Sequence, residues 1–107
     1  MPRSLQELNA EIFRQQLNTK FKVAIEDGQP VVLELVAVDE PRQHAPGMEL
    51  FSLQFLGPFA PRLAQRTHLL EHEQLGEFEI FLTAIGAEPD KGTEYESVFH
   101  RFRDKKA

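Results

Sequence analysis

A chain of 107 residues has room for one hydrophobic core, and a domain of this length buries roughly two-thirds of the surface its unfolded chain exposes. Apolar residues make up 41% of it, nine of them Phe, so a core can form without staples, and the lack of Cys excludes disulfides. The net charge of -5 opposes a nucleic-acid partner, since nonspecific affinity for a phosphate backbone comes from Lys and Arg.

Membrane spans need about 20 consecutive apolar residues, and no stretch of this sequence comes near that. The first seven residues, Met1 to Glu7, carry no apolar run of the kind a secretory signal needs. A cytoplasmic protein without a membrane partner is therefore expected.

Ser4 with Glu7 three residues later reads as a capping box, and Leu5, Leu8, Ile12 and Phe13 follow at the spacing of one helical face. These features predict a helix over about 5–16, ending near Asn18, which tolerates the left-handed backbone that closes many helices. From Lys20 the period becomes two, with Phe21, Val23 and Ile25 on one side of a strand and Lys20, Lys22 and Glu26 on the other. Asp27-Gly28 marks a turn, and Val31 to Val38 forms the returning strand. That strand is almost wholly apolar apart from Glu34, which suggests cover on both faces, with the N-terminal helix as one cover.

Asp39 to Glu49 contains two Pro and a Gly and reads as a loop. Leu50 to Leu56 is a third strand with Phe51, Leu53 and Phe55 on one face, broken by Gly57-Pro58-Phe59-Ala60-Pro61. Thr67 to His72 and Glu77 to Ala84 form a second hairpin, in which Phe78, Ile80 and Leu82 alternate with Glu77, Glu79 and Phe81. After a turn-rich segment from Gly86 to Gly92, Thr93 to Phe102 is the last strand, with Tyr95, Ser97 and Phe99 together. A basic tail follows over residues 103–107.

About six short strands with turns at close intervals leave little room for crossover helices. The predicted fold is mainly β: an antiparallel barrel or sandwich of about six strands with one N-terminal α-helix, in a single domain. A barrel of so few strands is filled by its own side chains.

The segments Phe51-Ser52-Leu53-Gln54-Phe55-Leu56-Gly57-Pro58, Leu70-Glu71-His72 running on to Leu82, and Tyr95-Glu96-Ser97-Val98-Phe99 resemble an uncharacterised bacterial family of small β-rich domains of unknown function. The resemblance runs from a Phe-containing helix, here Phe13 to Leu17, over nearly the whole chain. Where that family often has Gly before the first strand, this chain has Asn18, which the same backbone geometry accepts. The resemblance implies no activity, cofactor or catalytic residue. Its members are sometimes encoded near phage-tail-collar-like proteins, which implies an accessory or assembly role.

His68 and His72, flanked by Glu71 and Glu73, are the sharpest chemical candidates, because on a helix two His four apart face one way and can share a zinc ion. On a strand, four residues at about 3.3 Å each separate them by roughly 13 Å, too far for one ion. The sequence has no clustered His-x-His metal motif, no thiol, no Gly-x-Ser-x-Gly elbow and no phosphate-binding Gly cluster. Neither a metal nor a cofactor is called for, and Glu77 and Glu79 read as the wet face of a sheet.

Phe59, held between Pro58 and Pro61, and Phe81, on the Glu-bearing side of its strand, read in one of two ways. They are contact residues on the surface, or Phe59 plugs one end and Phe81 lies beneath the helix. The expected function is thus a non-enzymatic interaction or assembly module with a protein partner or a second copy of itself. The alternative is a small-ligand or metal-binding domain, or a minor enzyme, with a site at one barrel end near His68, Glu71 and His72.

Overall fold

A computed structural model describes residues 8–25, 28–40 and 48–102. The Ser4–Glu7 box, Asp27, most of the 39–49 loop and the basic tail lie outside the described residues. Helix α1 (Ala10–Arg14) is shorter than the periodicity predicts. Asn9 is extended, and its side chain accepts from the Ile12 N–H at 2.9 Å, so this helix is capped at Asn9. The helix also ends earlier than expected, capped by Gln15 and not near Asn18; after the turn that follows, Asn18 adopts φ 67, and its N–H reaches the Leu35 carbonyl at 2.7 Å, which delivers the chain into the sheet.

Six strands follow: β1 (Lys20–Val23), β2 (Val31–Asp39), β3 (Met48–Gly57), β4 (Arg66–His72), β5 (Gly76–Glu88) and β6 (Gly92–Phe102). All pair antiparallel, in the order β1-β2-β3-β6-β5-β4, and β4 returns to β1 to close the ring. That last seam is short: Lys22 pairs with Glu71 and Val23 with Leu70, and the Ala24 N–H donates to the Leu69 carbonyl at 3.1 Å. Irregularities at Leu35/Ala37 in β2 and Ala84/Gly86 in β5 add the local bend that a small closed sheet needs.

The bend in β5 also corrects the expected turn at Gly86: the strand runs on to Glu88, and the hairpin reverses at Asp90, with φ 68. Along its length β5 changes neighbour. Its first half pairs with β4 as far as Leu82, and from Thr83 onward it pairs with β6.

Period-two alternation places Phe21, Val23, Leu33, Leu35, Phe51, Leu53, Phe55, Leu70, Phe78, Ile80, Leu82, Tyr95 and Phe99 inside, where they fill the ring. Phe13 enters at the end where β3 and β5 start and β6 finishes. Its ring centroid lies 5.9 Å from those of Phe78 and Phe99 and 6.2 Å from that of Phe51. Truncating such a buried ring costs about 3–5 kcal/mol, so the short helix contributes far more through this one side chain than through its own hydrogen bonds.

The opposite end is crossed by residues 58–65, which carry the chain from β3 to β4 on the other side of the ring and include a cis Ala60–Pro61 peptide. Leu63 is buried there, and its N–H donates to the Tyr95 hydroxyl at 2.9 Å. Leu63, and not Phe59, is the apolar side chain that this crossing buries. The double cover expected for β2 is also absent among the described residues: Val32 and Val36 are exposed on its outer face.

Candidate functional site

Strand β4 decides the histidine question. His68 and His72 both point inward and are buried, while Glu71 between them points out and pairs in register with Lys22 and Glu77 on the neighbouring strands. Since β4 is extended, its rise separates the two imidazoles by roughly 13 Å, and the three side chains do not converge.

Each imidazole is engaged in holding the fold. His68 Nε2 donates to the Ala64 carbonyl at 2.7 Å, fastening the end of the crossing segment. His72 lies at the other end of β4. Its Nδ1 accepts from the N–H groups of Gln74 and Leu75, at 3.0 and 3.2 Å, and thereby shapes the β4–β5 turn. Those two bonds assign the ring proton to Nε2, which donates to Thr19 Oγ1 at 2.9 Å, and the Thr19 hydroxyl in turn donates to the Gln16 carbonyl at 2.7 Å.

The His72 ring also packs on Phe21, with centroids 4.3 Å apart. Burial holds its pKa below the ordinary imidazole value, against an opposing pull from Glu73. Among the described residues no buried side-chain nitrogen or oxygen lacks a partner, and no three metal-ligating side chains come together. The arrangement is one of structural hydrogen bonds.

The outer surface is different in kind. Phe59 is 54% exposed and Phe81 48%, so neither plugs an end nor lies under the helix. Phe59 sits on the crossing segment and Phe81 on the outer face of β5, opposite Thr67, so the two belong to separate surfaces. Phe81 has companions that the sequence reading missed: Ile85, 49% exposed, and Val98, 58% exposed.

Phe81, Thr83 and Ile85 share a face of β5 as far as its bulge, and Thr83 pairs with Glu96 on β6. One outward position further, Phe81 and Val98 flank the point where the two strands part. Val98 was legible as the apolar residue alternating against Tyr95, Ser97 and Phe99. Ile85 was not, because the strand was expected to stop at Ala84. Around this patch the outward positions are Glu77 and Glu79 on β5 and Glu94 and Glu96 on β6.

Two grooves mark the opposite side of the ring. One, of about 520 Å³, is lined by Ile25, Gln29, Pro30, Val31, Val32, Pro58 and Pro61, and lies beside Phe59. The other, of about 570 Å³, shares Val32 and is otherwise lined by Lys20, Lys22, Glu71 and Glu73. No helix among the described residues is long and apolar enough to cross a membrane.

A family model described as "Domain of unknown function (DUF6916)" matches residues 8–99 of the chain. Comparison with curated proteins and with solved structures gives no match.

Proposed function

The chain belongs to that family of domains of unknown function, and from this premise we propose that it is a non-enzymatic interaction or assembly module that docks a protein partner on the outer face of β5 and β6. One observation carries the reading: large apolar side chains, Phe81, Ile85 and Val98, are exposed on the outer faces of the neighbouring strands β5 and β6, while His68, His72 and Tyr95 are used in holding the ring. An exposed apolar cluster with a polar rim is the usual mark of a contact surface.

The rim supplies the chemistry of the partner. Glu77, Glu79, Glu94 and Glu96 surround the patch with negative charge, so the complementary surface has an apolar centre and Lys or Arg at its edge. A role as an accessory of a phage-tail-like structure is the finer form of the proposal. It rests on the gene context that the resemblance implies.

Sedimentation of the purified protein, alone and mixed with the products of neighbouring genes, tests the reading. A complex that weakens at high salt and in Phe81→Ser supports it. A protein that binds none of those products, or binds one equally well as Phe81→Ser, overturns it.

A further inference from the structure

A ring of strands opens first where its backbone pairing is shortest, and here the seams are unequal. β1 pairs with β2 over its whole length, from Lys20 opposite Glu34 to Val23 opposite Val31, and backbone bonds of Asn18 and Thr19 to Leu35 extend that grip. β4 likewise pairs with β5 all the way from Arg66 to His72. Between β1 and β4, among the described residues, the register joins Lys22 to Glu71 and Val23 to Leu70, with the Ala24 N–H on the Leu69 carbonyl. Parting this seam leaves β1 on β2 and β4 on β5, and turns the closed ring into an open sheet with β1 and β4 as its edges.

His72 clamps the seam from inside. At the end of β4, its Nε2 is hydrogen-bonded to Thr19, the residue before β1, and its ring lies on Phe21 of β1. Its Nδ1 accepts from the Gln74 and Leu75 N–H groups of the β4–β5 turn. One nitrogen is thus committed as donor and the other as acceptor, a combination that only the neutral imidazole offers. A proton on Nδ1 sets a third donor against those two N–H groups and places a charge beside Phe21 in a buried site. The same clamp cannot close around an imidazolium.

Neighbouring charges do not rescue it. Lys20 and Lys22 on β1, Glu71 on β4 and Glu77 on β5 stand on the outer face, with Lys20 held by Glu34 of β2 at 3.7 Å. The α1–β1 link over residues 15–19 carries no charge. Glu73 in the turn pulls toward the protonated form, and burial outweighs it.

We propose that the ring opens along the β1–β4 seam when His72 takes up a proton, exposing two strand edges that the closed ring conceals. This is a pH-sensitive device built into the fold. The β5–β6 pairing is untouched by it, so the proposal stands apart from the docking reading.

Native-state hydrogen exchange followed by NMR between about pH 7.5 and 5.5, corrected for intrinsic base catalysis, is the test. The Ala24 amide reports on the seam and the Leu75 amide on the turn. Their opening constants are expected to rise together below about pH 6.5, by up to about tenfold per pH unit, and to stay above those of amides paired between β3 and β6. In His72→Asn, which does not titrate, both are expected to lose this response.

The wild-type chain alone can overturn the proposal, whether or not the variant folds. An Ala24 amide that is as protected as the β3–β6 amides at every pH means that the ring yields only by global unfolding. A Leu75 amide that responds to acid while Ala24 does not means that the turn frays with the seam shut. An acid response that persists in His72→Asn assigns the trigger to another group.

Discussion

Replacing His72 by Leu keeps an apolar side chain beside Phe21 but removes the acceptor for two backbone N–H groups and the donor to Thr19. The Leu75 N–H is buried and the Gln74 N–H partly so. A buried donor left unpaired costs about 1–3 kcal/mol, so the combined loss is about 2–4 kcal/mol, allowing for water at Gln74. In a domain of this size that lowers Tm by roughly 10–25 °C.

His72→Asn separates the causes, because an Asn carboxamide oxygen can accept from the N–H two residues on, as Asx turns do. It should recover part of the loss if shaping the turn is the main task of the imidazole. The pH dependence gives an independent reading. Burial lowers the folded-state pKa of His72, so the unfolded chain takes up a proton that the folded chain refuses.

Stability from this group is therefore complete above about pH 6.5, the unfolded value, and is lost as pH falls from there toward the lowered folded value, by at most about 1.4 kcal/mol per pH unit. Denaturant unfolding of wild type, His72→Leu and His72→Asn at a series of pH values measures both effects, and the other three His cancel in the difference. If His72→Leu unfolds within about 0.5 kcal/mol of wild type, or if both variants keep the wild-type slope below pH 6.5, the assigned network is wrong.

Two further predictions concern the crossing end of the ring. Tyr95→Phe strands the Leu63 N–H and should cost about 1–3 kcal/mol in denaturant unfolding, with faster hydrogen exchange at the Leu63 amide as the local readout. Gly92 has φ 149, and a Cβ there would collide with the backbone carbonyl of Gly57 on β3, so Gly92→Ala combines backbone strain with a clash no side chain can relieve. It should destabilise by about 3 kcal/mol or more, whereas Gly86→Ala, where the added carbon meets only the end of the Glu94 side chain at 3.7 Å, should cost much less.

Much of the fold was legible in the residues. Phe51, Leu53 and Phe55, then Phe78, Ile80 and Leu82, then Tyr95, Ser97 and Phe99 alternate because successive side chains of a pleated strand point to opposite faces, and each set lies inside. Asn18 was readable as the left-handed residue before β1 for an equally local reason. Element ends were less so: Asn9 caps the helix Ala10–Arg14, a role the apolar spacing alone does not mark, and β5 passes through Gly86 because pairing with β6 continues across a bulge.

The candidate site was legible only in its negative half. Once β4 is extended, the rise per residue alone separates His68 from His72, and the period-two pattern was enough to say so. What each imidazole does instead was not readable, because their partners come from the fold. Thr19 stands 53 residues from His72, and Leu63 stands 32 from Tyr95. Alternation tells which residues face the same way. It carries no information about which strand becomes a neighbour, so the closing of β4 on β1, the Leu63 plug, and the company of Phe81 with Val98 on one face and of Phe59 with a groove on the other were decided by tertiary pairing alone.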